Sequence, residues 1–263
     1  MRIVILPGNP DHEGFRHPKL PTRNDEIFRP AFTPSTYAEL EALYPPGWNP
    51  DILVHWGLEY NAIPEGIDQA DCLTVGVLGD WNLGGQIVQH VGGAFDVLVA
   101  DHNGVDALRN LGFKHVRYAP QWAYDPNLHQ VLPGIQRDLD IVIVGNFNHS
   151  IQRERARWIR RVARLSAKWN VLVTSGVYGE EYTRLLNRAK IVFNRSIRGE
   201  INMRAYEAPA CGALMFYERG NPEIGSLYRD GEECVLYGED DFESLVDYYI
   251  THSEERERIA KAG

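Results

Sequence analysis

The chain has 263 residues, 44% of them hydrophobic and 24% charged, with a formal net charge of −9. This length accommodates two domains of roughly 120 to 130 residues each, and the composition excludes disordered and fibrous classes. The acidic balance argues against a nucleic-acid partner, because a negative field repels polyphosphate.

No apolar run approaches the roughly 20 residues that span a bilayer, and Met1 leads straight into a strand-like run instead of a signal peptide. A soluble, cytoplasmic protein is expected. Cys72, Cys211 and Cys234 form no paired metal or redox motif and are expected to be reduced core residues. Up to Gly134 there are 8 Lys plus Arg against 16 Asp plus Glu, and in the remainder 19 against 20. The second part therefore suits a small phosphorylated ligand better.

Short apolar runs alternate with helix-like stretches, the pattern of parallel strands joined by crossover helices. In the first half, strands are expected at 2–6, 51–55, 72–78, 95–100 and 115–118, and helices at 35–44, 84–90 and 103–111. The segment 7–34, rich in proline and polar residues, reads as a loop, and 125–134 as a linker. The second half repeats the theme. Strands are expected at 138–145, 171–174, 191–194, 213–217 and 234–236, and helices at 152–168, 180–189, 202–210 and from 241 to the C-terminal region. Two Rossmann-like α/β domains follow, 1–133 and 134–263, facing one another across a cleft.

Open parallel sheets bind ligands beyond the carboxyl ends of their strands. The run 141–144 ends in Gly145-Asn146-Phe147-Asn148-His149-Ser150, and the next helix opens with Gln152-Arg153-Glu154-Arg155. Such a loop offers backbone N–H groups to phosphate oxygens, and Arg153 or Arg155 adds charge. An ordinary strand-to-helix turn remains the alternative, and the basic run Arg157, Arg160, Arg161, Arg164 and Lys168 reads as a solvated face. The strongest signal spans 196–213, where a polar loop enters a short helix that ends at Gly212. Glu207 lies there among small and apolar residues and needs a partner, because an unpaired buried carboxylate costs several kcal/mol. A ribose diol would serve, with N–H groups near Asn202 and Met203 receiving a diphosphate. Asp138-Leu139-Asp140 has metal-motif spacing but precedes its strand, so a turn explains it better and no metal site is expected. No dinucleotide fingerprint or phosphate-binding P-loop occurs.

The block 202–212, with Val144-Gly145, Lys190-Ile191-Val192-Phe193-Asn194, Asp230-Gly231-Glu232-Glu233-Cys234-Val235 and the ending 256–263, resembles the CgeB-like glycosyltransferases. These are related to the family 4 group with the GT-B fold. The resemblance covers nearly all of the second half. It continues more loosely through Gly79-Asp80, Phe95-Asp96-Val97-Leu98, 108–112 and Tyr118-Ala119-Pro120 in the first half.

The resemblance implies a metal-independent, hexosyltransferase-like enzyme with no cofactor beyond a nucleoside diphosphate sugar, the donor bound by the C-terminal domain and the acceptor by the N-terminal one. It makes Glu207 the ribose-binding carboxylate and Asn202 and Met203 part of the diphosphate cradle, and it favours retention at the anomeric carbon. Family 4 enzymes commonly carry a glutamate eight positions before the ribose one. Here that position is Gly199, so Glu200 is the candidate sugar contact, a solvated loop charge being the alternative. Where many members place an N-terminal histidine, this chain has Gly79 and Asp80. Asp80 becomes the acceptor-side candidate, with a turn cap as its alternative. His102 is a weaker candidate, and Trp81, Trp48 and Trp56 could stack on sugars or pack in the core. The acceptor, a glycan, protein or small molecule, is not specified. A nucleotide-sugar epimerase and a catalytically silent nucleotide-sugar-binding module remain as rivals, the latter because no helix crossing back to the first domain is visible before Gly263.

Overall fold

A computed structural model describes residues 1–7, 26–120, 123–148 and 153–263. Most of the expected loop 7–34, and His149, Ser150 and Gln152, lie outside the described residues. The chain divides into two compact units, Met1–Gln121 and Trp122–Gly263.

Unit 1 contains β1 (Arg2–Leu6), β2 (Glu26–Phe28), α1 (Tyr37–Glu41), β3 (Ile52–Trp56), β4 (Leu73–Val77), α2 (Gly85–Val91), β5 (Val97–Ala100), α3 (His102–Asn110) and β6 (Val116–Tyr118). Its sheet runs β2-β1-β3-β4-β5-β6, and every neighbouring pair is parallel. Parallel neighbours need long crossovers, which is why helices alternate with the strands. Helix α3 shows how the sequence sets an element: Asp101 caps it by accepting from the Gly104 amide at 2.6 Å, and Val105 and Leu108 face the core. It stops at Gly112, whose φ of +99° suits a residue without a Cβ. Strand β2 lies inside the stretch read as a loop. It is a three-residue edge strand, too short to display any alternation.

Unit 2 contains β7 (Leu139–Val144), α4 (Arg153–Arg164), β8 (Val171–Thr174), α5 (Gly179–Arg188), β9 (Ala189–Phe193), α6 (Arg204–Ala210), β10 (Leu214–Glu218), α7 (Ile224–Leu227), β11 (Val235–Tyr237), α8 (Phe242–Thr251) and α9 (Ser253–Ala262). The order is β11-β10-β9-β7-β8, again parallel throughout. The inner strand β7 sends Ile141 and Ile143 into one core, with Trp158, Phe193 and Phe242, and Leu139, Val142 and Val144 into another, with Leu185 and Ala208. A strand covered on both faces reads as the unbroken apolar run seen in the sequence.

The segment 125–134, which composition reads as a linker, is tied to unit 2. The Leu132 amide donates to Asn187 Oδ1 at 2.8 Å, and Asn187 Nδ2 returns a bond to the Gln130 carbonyl at 3.0 Å. The C-terminal helical region divides at His252 into α8 and α9, and Ile259 and Ala260 of α9 enter the unit's core. No helix among the described residues is long and apolar enough to cross a membrane.

Candidate functional site

In unit 2 the chain leaves β7 for β8 on one side, then returns to place β9 on the other. The loops beyond β7 and β9 therefore diverge, and the crevice between them is the usual ligand position in such sheets. A small cleft there is lined by Gly145, Phe147, Arg155, Ile159, Phe193, Arg195 and Arg204, among others.

Three of the lining residues are arginines, and hydrogen bonds hold Arg155 and Arg204 in place. Arg155, on α4, donates from Nε and Nη2 to the Arg195 carbonyl at 3.1 and 2.8 Å. Arg204 opens α6 and donates from Nη1 to Asn194 Oδ1 at 2.6 Å. Its buried Nε has no hydrogen-bond partner among the described residues. Burial first, and the like charge of Arg204 second, bring the Arg155 guanidinium down to about 10; the charges of Glu200 and Glu218 act in the opposite direction. Gly145 permits this arrangement, because a Cβ there would stand 3.1 Å from Arg204 Nη2. Asn194 Oδ1 also accepts from Asn202 Nδ2 at 3.0 Å, which ties the end of β9 to the entrance of α6.

The structure brings some expected residues together and separates others. Arg155 and Gly145 line the cleft, whereas Arg153 is exposed. Successive helical residues turn by about 100°, so Arg153 and Arg155 point almost oppositely and only one can face the crevice. Asn146 is exposed, its Oδ1 accepting from the Asn148 amide at 3.1 Å. Met203 is the residue before α6 and carries no side-chain cap.

Glu200 is buried and closes its own loop, its carboxylate accepting from the Ile197 and Arg198 amides at 2.8 to 3.1 Å. The picture of it as a solvated charge is thereby corrected. Glu207 is 6% exposed, and protein groups already meet it. Tyr182 donates to Oε2 at 2.7 Å, and His129 Nε2 lies 3.7 Å from Oε1. Arg204, Tyr182 and His129 escape sequence reasoning. Arg204 alone left a signal, as a cation one helical turn before Glu207.

In unit 1, Asp80 follows β4, and its Oδ2 accepts from the Tyr60 hydroxyl at 2.7 Å. The Gly79 amide, at 2.8 Å, and the Asp80 amide both donate to Glu59 Oε1. Glu59 is buried, and desolvation pushes its carboxyl above the ordinary range against the opposing effect of those amides. Gly84 makes room for it, since a Cβ at 84 would fall 2.2 Å from Glu59 Cβ. His102 opens α3 and stacks on Tyr118. Trp48, partly buried, packs with Phe28 and Tyr44 against the unit 1 core and donates to Glu26.

Asp138 and Asp140 lie at the amino end of β7, away from the cleft. Asp138 pairs with Arg188 at 2.6 Å and Asp140 with Lys190 at 2.7 Å. Among the described residues no cluster of three or more His, Cys, Asp or Glu could hold a metal ion.

Comparison with solved structures shows a shared fold at low identity. HepE from Anabaena, in complex with UDP and glucose, matches with a TM-score of 0.57 at 11% identity, over 81% of this chain and 72% of that one. Sucrose-phosphate synthase from Thermosynechococcus elongatus matches with a TM-score of 0.54 at 11% identity, over 99% and 82%. TarM from S. aureus, in a complex that includes UDP, matches with a TM-score of 0.54 at 8% identity, over 80% and 50%. Among curated sequences none matches significantly. Two parallel α/β sheets of this kind are the GT-B fold class. The family described as glycosyl transferase-like matches residues 126–263, more than half of the chain, and therefore covers the cleft and its arginines. The chain belongs to the glycosyl transferase-like family.

Proposed function

We propose that the protein is a CgeB-like, metal-independent glycosyltransferase that moves a hexose from a nucleoside diphosphate sugar to an acceptor, with the donor held by unit 2. The observation that carries this is the Arg155–Arg204 pair, two partly buried guanidinium groups of like charge at the sheet's switch point. Like charges brought together in low dielectric repel, and a diphosphate between them turns that cost into attraction. The departing nucleoside diphosphate gains negative charge in the transition state, so the same two groups assist the chemistry without a cation.

Gly145 and Asn146 border the phosphate position, Asn202 and Met203 frame the entrance of α6, and Glu207 receives the ribose. Glu200 holds the loop that carries the sugar. Asp80, in unit 1, accepts the proton of the attacking hydroxyl. Retention at the anomeric carbon rests on the family 4 resemblance.

A thermal-shift panel of UDP-, GDP-, TDP- and ADP-sugars in EDTA tests the reading. One donor should raise the melting temperature, since occupancy at 100 times Kd adds about 2.7 kcal/mol. Arg204→Met should weaken that donor roughly 10- to 150-fold through loss of a charged hydrogen bond. Stability without ligand should be kept, because the partner Arg204 leaves, Asn194 Oδ1, is uncharged and still accepts from Asn202 Nδ2. A panel with no response, or one that responds only with magnesium or manganese, sinks the proposal. Epimer release without acceptor would identify the epimerase instead.

A further inference from the structure

Asn194 follows β9 at the carboxyl end of the unit 2 sheet and is fully buried. Its backbone is fixed from two sides: the amide donates to the Phe216 carbonyl of β10 at 2.8 Å, and the carbonyl accepts from the Tyr237 hydroxyl of β11 at 2.6 Å. From that base the side-chain oxygen Oδ1 accepts from Arg204 Nη1 at 2.6 Å and from Asn202 Nδ2 at 3.0 Å. An amide oxygen has two lone pairs, and both are used. A guanidinium only donates, so the atom facing Nη1 is the oxygen, and that contact settles which way the Asn194 amide points. Nδ2 is buried and has no hydrogen-bond partner among the described residues. Burying that donor unpaired is a cost, which the fold bears in order to present the oxygen.

The charge of this acceptor matters as much as its position. Arg204 lines the cleft together with Arg155 and Arg195. The carboxylates whose fields reach this region have other donors. Glu200 accepts from the Ile197 and Arg198 amides, Glu218 from the Ser196 amide and hydroxyl, and Glu207 from the Tyr182 hydroxyl. Among the described residues no carboxylate forms an ion pair with Arg204. An aspartate at 194 would hold Nη1 as well as asparagine does, but it would cancel the positive charge. An apolar residue would keep the charge and leave a long side chain unheld. Asparagine holds the cation and keeps it a cation.

We propose that Asn194 is a positioning residue of the donor site, its amide oxygen fixing the Arg204 guanidinium in the cleft while leaving its charge for the diphosphate. The inference rests on the reading of unit 2 as the donor-binding unit.

The intact protein, the variants Asn194→Ala, Asn194→Asp and Arg204→Met, and the double variant of alanine with Arg204→Met would be titrated calorimetrically with UDP, GDP, TDP and ADP in EDTA. Melting curves without ligand would establish that each is folded. For the nucleotide that binds, Asn194→Ala should weaken affinity roughly 3- to 10-fold, as a held cation becomes unheld, and Asn194→Asp roughly 10- to 150-fold, as the cation is paired within the protein. A purely structural asparagine predicts the opposite order, because aspartate is nearly isosteric and alanine leaves a cavity. In the Arg204→Met background, Asn194→Ala should cause no further loss, since it acts through the guanidinium that is already gone. Wild-type affinity in Asn194→Asp, a larger loss for alanine than for aspartate, or an alanine loss that adds fully to that of Arg204→Met would overturn the inference and leave the donor reading intact. No nucleotide bound by the wild type would overturn both.

Discussion

A carboxylate as deeply buried as Glu207 is stable only with donors around it, and here those are the Tyr182 hydroxyl and, at a longer 3.7 Å, His129. Ribose hydroxyls would replace the longer contact with shorter bonds on Oε1. Glu207→Gln should therefore weaken nucleotide binding by roughly 10- to 150-fold, the range for a hydrogen bond to a charged group. A 2′,3′-dideoxy nucleotide removes the same bonds from the other side. Calorimetry on the four combinations should show the two losses failing to add, and full additivity would assign Glu207 to Tyr182 and His129 alone. At this scale the sequence was informative where a residue type conflicts with its surroundings: a carboxylate in a small, apolar run demands an explanation. It was silent about partners. Tyr182 and His129 reach Glu207 from elements remote in sequence, and no spacing rule connects them.

Helix α4 shows what periodicity conveys and what it omits. Its apolar stripe, Trp158, Ile159, Val162 and Leu165, was legible from spacing alone and packs on the β7 and β9 core. The basic residues between looked like a solvated face, yet they differ. Arg161 donates to Glu243 Oε1 at 2.6 Å and Glu239 Oε2 at 3.0 Å and lies 4.7 Å from the Trp158 ring centroid, whereas Arg160 bonds only back to the Ala156 carbonyl. Those glutamates follow β11, about eighty positions away, beyond any helical period. Arg161→Ala should cost about 1 to 2 kcal/mol, an ion-pair network plus a cation–π contact, and Arg160→Ala under about 0.5 kcal/mol. Urea unfolding in low salt and in 1 M salt would check both, the added salt shrinking only the Arg161 effect. Equal costs for the two would mean that the network adds nothing. The elements missed were β2 and α7, at three and four residues; β6 and β11 are as short but were legible as apolar runs, whereas β2 lies in a stretch rich in proline and polar residues.

Across the whole chain, charge is divided unevenly, and the buried titratable groups of the acidic unit 1 set its response to pH. His55, on β3, is fully buried; Nε2 bonds the Ala62 carbonyl at 2.9 Å, and Nδ1 has no partner. Protonation would place a second N–H where no acceptor waits, and burial accordingly lowers the His55 pKa below its ordinary 6.5 despite the opposing Ala62 bond. The sign follows from linkage: with the folded value depressed, the unfolded chain binds the proton first. The neutral imidazole's contribution is then complete above pH 6.5 and is lost progressively as pH falls towards the folded value. Glu59 opposes this over part of the range, since its raised pKa gives a contribution that is complete below 4.5 and fades as pH rises. Native-state amide exchange on β3 and β4, corrected for intrinsic rates, should show opening becoming easier as pH falls below 6.5 in the wild type. His55→Gln removes the titration while keeping a donor for Ala62, and the slope assigned to this group should vanish even if the variant is less stable at every pH. An unchanged slope in His55→Gln would transfer the acid sensitivity of unit 1 to other groups.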